Sequence, residues 1–176
     1  MVRTTGVFLS TLAMVPVTIG LALADPAPPT ASVLAEIVEY GIYCKPKEAG
    51  RVDAPDTALG YINLFEGEFD FRFHQQQVPA QLGMSFGLVI RPAIDVPVAR
   101  METYKPGTTA PEVWYTDLHA GEPKTRGFSF DFPEELILGT WRMEGWDGDT
   151  RLYSIEFQVV PPSALPGIGP DCNLLS

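Results

Sequence analysis

The sequence has only two cysteines, two histidines and twelve basic residues among 176, which leaves little material for several common chemistries. Cys44, Cys172, His74 and His119 are too few and too widely separated for the ligand spacing of a zinc site. No run of Lys or Arg is long enough to follow a phosphate backbone, and 22 acidic residues bring the formal charge to −10. Such a chain repels nucleic acid. No internal repeat is present, and no segment keeps a 3.6-residue apolar period for more than about two turns. That excludes helical bundles and solenoids. Nothing in the composition implies a cofactor.

What is present begins with an export signal. Arg3 precedes an apolar run from Val7 to Leu23, and Ala22 and Ala24 put small side chains where a signal peptidase needs them, with cleavage before Asp25. The run is short for a membrane span and contains Pro16 and Gly20. We therefore expect a cleaved signal over 1–24, a periplasmic or secreted product, and no membrane span after its removal. Residue 25 is Asp, so no thiol is available there for a lipid. The remaining 152 residues suit one domain, and losing Arg3 takes the formal charge to −11 because every acidic residue follows residue 24. An even pair of cysteines in an exported chain predicts one disulfide, Cys44 to Cys172. Closing so long a loop stabilises by ~4 to 5 kcal/mol in the chain-entropy account.

Residues 25–35 open with DPAPPTAS and read as an extended, Pro-rich lead-in that does not pack. Residues 36–160 alternate short apolar runs with Pro, Gly and Asp clusters, and 161–176 form a tail carrying Cys172. EFDFRFHQ (68–75) places Phe69, Phe71 and Phe73 on one face by strict alternation, and GFSFDF (127–132) does the same with Phe128, Phe130 and Phe132. We expect these six rings to be a large share of the core. MSFGLVIR (84–91) and the pair GTWRMEGW (139–146) and RLYSIEFQVV (151–160) follow the same rule, with further strands at 36–44, 58–65, 96–103 and 112–116. About nine strands point to two packed antiparallel sheets.

Asp147 to Thr150 joins the last pair. Its Asp-Gly is a hairpin signal. Asp147 and Asp149 could also start a calcium loop, but the third ligand position is Arg151 and the twelfth is Gln158, so no metal site is expected. GMSFG (83–87) matches the nucleophile pattern G-x-S-x-G at Ser85, yet that chemistry needs a strand-to-helix turn, and here a strand continues. Glu134 and Glu135 are adjacent, after a proline, in what reads as a solvated bend; His74 lies on a polar strand face. No catalytic residue is assigned.

Trp114 and Tyr115 are consecutive, so one of them points outward, and Trp146 is out of phase with Trp141 and Met143. These three aromatics are the candidate binding surface, for a partner's apolar residue or a sugar ring.

Two stretches, VPAQLGMSFGLVIRP and FPEELILGTWRMEGWDGDTRLYSIEFQVV, resemble a group of uncharacterised exported bacterial proteins, the domain of unknown function 3859. The likeness rests on LGxxFG at 82–87 and on the Glu-x-x-x-x-Gly-x-Trp stretch ending at Gly139 and Trp141, and covers roughly 36–160. It implies no activity and no catalytic residues. The combined expectation is an immunoglobulin-like two-sheet antiparallel β-sandwich of about 7–9 strands. Such a protein would act without catalysis, as a binding or interaction module on an unidentified protein or glycan of the cell envelope. Its rivals are a carbohydrate-binding module and a serine hydrolase using Ser85.

Overall fold

The computed structural model describes residues 25–44 and 47–169. The expected signal with its Ala22 and Ala24 positions, and Cys172, lie outside the described residues. Within them the strands are β1 (Thr30–Ala31), β2 (Ala35–Cys44), β3 (Lys47–Asp53), β4 (Tyr61–Glu66), β5 (Asp70–Phe73), β6 (Gln77–Pro79), β7 (Ser85–Pro92), β8 (Val96–Tyr104), β9 (Glu112–Leu118), β10 (Lys124–Ser129), β11 (Gly139–Asp147) and β12 (Thr150–Val160).

The longest alternating runs make the large sheet, ordered β1-β12-β11-β8-β9, with β6 joining β12 beside β1 in parallel. The second sheet is β10-β7-β2-β5, all antiparallel. Inward residues of each sheet meet in one core: Ile42, Phe86, Leu88 and Ile90 from one side, Trp141, Met143, Ile155 and Phe157 from the other. Phe86 touches Trp141 and Phe157 across the gap, with ring centroids 5.9 and 5.0 Å apart. Two sheets, antiparallel except for the short β6–β12 pair, packed face to face over alternating inward residues make the immunoglobulin-like sandwich expected.

The Asp-Gly signal produces the tight hairpin expected. Asp147 pairs with Thr150, and Gly148 takes φ +54°, as a two-residue connection of this kind requires.

Two expectations are corrected, and one strand has no counterpart in the sequence pattern. The lead-in is extended but does pack: Thr30 and Ala31 pair with Ser154 and Tyr153, and Ser32 N–H reaches the Leu152 carbonyl. Strand β3, KEAGRVD, has no apolar alternation and is exposed along its length; it exists only by pairing with β4. The six phenylalanines do not share one core. Between the pairs Ile42↔Phe73 and Tyr43↔Phe71 the chain advances two residues on β5 for one on β2, a bulge at Arg72 that turns Phe71 to the opposite face. Phe73, Phe128 and Phe130 belong to the main core, and Phe132 is exposed. Phe71 and Phe69 instead pack on Tyr43, at 5.2 and 5.0 Å, and Phe69 meets Phe65 of the β3–β4 hairpin. This is a second, smaller aromatic layer outside the β2-β7-β10 sheet.

That layer explains Gly127, and the neighbouring strand explains Gly87 of LGxxFG. Tyr43 lies across the outer face of its sheet, over β7, and reaches β10. A methyl on Gly127 would overlap the Tyr43 ring, and one on Gly87 would overlap the Arg126 carbonyl. Both positions need glycine because a backbone and a ring approach too closely for any side chain.

Candidate functional site

Ser85 starts β7 on the face covered by Tyr43. It is 1% exposed, and its hydroxyl shares a hydrogen bond with Ser129 Oγ at 2.8 Å. His74 and His119 pair instead with Glu39 and Asp117, at 2.7 and 3.0 Å. Ser85 has neither the turn nor the base that G-x-S-x-G chemistry uses.

Glu134 and Glu135 lie on a short 3-10 turn, Pro133–Glu135, and they differ: Glu134 is exposed, whereas Glu135 is buried. Glu135 Oε2 accepts hydrogen bonds from the backbone N–H groups of Asp131 (2.7 Å) and Phe132 (2.9 Å). The solvated bend is thus held by a buried carboxylate that caps the chain after β10. Charge-assisted bonds of this kind are worth about 1.5–3 kcal/mol. Glu135→Ala is expected to lower stability by about 2 kcal/mol in urea unfolding; a change within error would show that the cap carries no load.

The three aromatics separate. Trp114 pairs in register with Met101 and packs on the core, so it faces inward; Tyr115 is its outward neighbour, 59% exposed. Trp146 and Tyr115 both pair with Arg100, from β11 and β9 respectively, and so share the outer face of the large sheet. Guanidinium carbons of Arg100 and Arg151 sit 5.4 and 5.9 Å from the Trp146 ring centroid.

Beneath them is a polar ladder that sequence reading missed. Glu144 is 3% exposed and is contacted by Arg142 Nε (3.1 Å), Arg151 Nη1 (3.2 Å) and Ser154 Oγ (3.2 Å). Glu102 receives Arg100 Nε and the Tyr104 hydroxyl, each at 2.8 Å. Three arginines, Arg100, Arg142 and Arg151, interleave with three carboxylates, Glu102, Glu144 and the Glu156 opposite Arg142, so charge on this face is locally balanced on an acidic protein. Cross-strand register creates it, since alternation names the outward residues of each strand but not which of them become neighbours.

The edge beside this face is β9, the last strand of the path. Val113 N–H points away from β8 to the Asp56 carbonyl at 3.1 Å, and alternation puts the Tyr115 and Asp117 amides on the same outer edge.

A cleft of about 100 Å³ lies where the β3–β4 hairpin leans on β8 and β10. Its connecting loop is tied to β9: Ala58 N–H donates to Glu112 Oε1 at 3.1 Å. Arg126 lines this cleft and is 7% exposed. Its Nη2 donates to Thr103 Oγ1 at 2.6 Å, its Nη1 to the Gly127 carbonyl at 3.3 Å, and its guanidinium lies 4.9 Å from the Trp114 ring centroid. Its Nε is buried without a hydrogen-bond partner among the described residues. Burial pushes the neighbouring phenols up, Tyr153 to about 12 and Tyr43 further, so both stay neutral at physiological pH. Burial also lowers the Arg126 pKa from its ordinary value, opposed by Tyr153, Tyr43 and Glu112. Glu112 Oε1 is itself engaged by Lys105 Nζ at 2.6 Å.

Two sheets packed face to face over one core make this an immunoglobulin-like β-sandwich. The chain belongs to the family described as a domain of unknown function, DUF3859, whose model matches residues 31–159. A solved immunoglobulin-like protein from Pseudomonas aeruginosa is similar over 76% of this chain and 98% of its own, at 18% identity and a TM-score of 0.47. No functionally curated protein matches the chain.

Proposed function

We propose that this protein is an exported, non-catalytic interaction module of the bacterial cell envelope, and that it holds an extended segment of a partner protein along β9. The observation that carries this reading is a strand edge that ends the sheet and, among the described residues, is covered only at Val113; its outward side chain beyond that point, Tyr115, is 59% exposed beside the Arg100–Trp146 pair. Strand addition supplies main-chain hydrogen bonds, and the adjoining aromatic and basic side chains supply selectivity. The burial of Ser85 supports the absence of hydrolase chemistry. A sugar platform is less well supported, because stacking needs a free ring face. Arg100 and Arg151 lie against Trp146, and Arg126 against Trp114.

The test is co-purification of the tagged protein from crosslinked envelope extract, with Tyr115→Ala and Trp146→Ala alongside. A reproducible protein partner, reduced at least about tenfold by Tyr115→Ala, is the expected result, as for loss of a central interface aromatic. A partner captured equally by both variants would move the surface elsewhere. Trp114→Ala is unsuitable here, since Trp114 packs against the core and its removal tests folding.

A further inference from the structure

We propose that the cleft at Arg126 is a binding site for a small monocarboxylate, with the Arg126 guanidinium as its anchor and Lys105 as a second cation. It lies apart from the outer face described above, and either reading can fail without the other.

A guanidinium removed from water is costly unless an anion and hydrogen-bond acceptors replace its hydration. Arg126 has the Thr103 hydroxyl, one long carbonyl contact, the neutral phenol of Tyr153 as a further hydrogen-bond partner, the neutral phenol of Tyr43 nearby and the Trp114 ring face, but no carboxylate of its own among the described residues. The ring offsets part of the cost. The Nε–H is left without a hydrogen-bond acceptor among the described residues. The carboxylate that acts on Arg126, Glu112, is already shared between Lys105 Nζ and the Ala58 amide. One buried positive charge therefore has no dedicated counter-charge, and the unsatisfied donor lies on a side chain that lines a cleft.

The size and lining of that cleft select the ligand. About 100 Å³ is smaller than the ~150 Å³ cavity that accepts benzene, so the occupant has only a few heavy atoms. Tyr61, Phe65 and Phe128 among its walls suit a short apolar tail. Glu112, Asp131 and Glu135 also line it, with Glu112 held by Lys105 and the Ala58 amide and Glu135 by two backbone amides. Three acidic walls disfavour a multiply charged anion such as phosphate, which leaves a planar, singly charged carboxylate as the match for a guanidinium edge.

The test is NMR of the ¹⁵N-labelled protein, titrated with acetate and with propanoate at matched ionic strength, and with inorganic phosphate in a parallel arm. We expect a saturable shift of the Arg126 Nε–H and Trp114 Nε1–H resonances, with a dissociation constant in about the millimolar range for so small a ligand. Arg126→Gln should abolish it, and Arg91→Gln, on an exposed ion pair with Glu36, should leave it unchanged. If Arg126→Gln does not fold, Phe65→Trp, which narrows the cleft without touching the guanidinium, must weaken the response. Unmoved Arg126 and Trp114 signals at about 100 mM carboxylate, far above the expected constant, would overturn the site. Saturation by phosphate alone would overturn the carboxylate assignment.

Discussion

Trp141→Ala is expected to lower the free energy of unfolding by about 3–5 kcal/mol, a large part of what holds a domain of this size together. Trp141 has no exposed surface. Its ring lies 4.9 Å from Phe128, 5.7 Å from Phe130 and 5.9 Å from Phe86, so it joins rings of the β7–β10 pair to the β11–β12 hairpin across the sandwich. The indole also donates from Nε1 to the Ile137 carbonyl at 2.9 Å, which holds the segment leading into β11. Truncation removes the apolar contact, opens a cavity that neighbouring β-strands cannot collapse into, and strands that carbonyl. Urea unfolding should show a lower midpoint with an unchanged slope. Trp141→Phe keeps most of the ring contact and should recover more than half of the loss. A loss below about 1 kcal/mol in the alanine variant would mean that this cluster does not anchor the core.

Reduction of the protein is expected to cost ~4 to 5 kcal/mol in the chain-entropy account, on the proposal that Cys44 and Cys172 are bonded. Cys44 is half-buried at the end of β2, where it pairs with Asp70 of β5 at the margin of the small aromatic layer. A bond from there to the C-terminal tail would tie that margin to the segment following β12. Mass spectrometry after alkylation should find both thiols blocked without reductant and both modified with it. The melting temperature should fall on reduction. A melting temperature indifferent to reductant would refute the stabilising bond.

The family resemblance was legible in two motif stretches and is shown over residues 31–159. Strands with clear alternation were equally legible: β7 and the β11–β12 hairpin lie within a residue or two of where period-two patterning and Asp-Gly put them, and β8 was placed without its register, which shifts between Val96 and Ala99. Strand β3 was not, because a strand exposed on both sides has no reason to alternate. The phenylalanines of β5 misled for the opposite reason. Their alternation is perfect in sequence, but the bulge at Arg72 breaks the face, and a bulge is a property of the pair of strands. At the candidate site, the sequence showed that either Trp114 or Tyr115 must face outward. Only register with Met101 and Arg100 decided that it is Tyr115.

By itself the sequence determined the class of fold and the residues that cannot share a face, because these follow from local periodicity and turn chemistry. The tertiary structure decided everything that depends on neighbours distant in the chain. Arg126 reads as an unremarkable polar residue in KTRGFS, yet its register opposite Leu88 turns it into the interior. Only the packing of β8, β9 and β10 then surrounds it with Thr103, Trp114 and a cleft. The physical reason is that burial of a charge is set by what covers it, and the covering residues here lie up to several strands away.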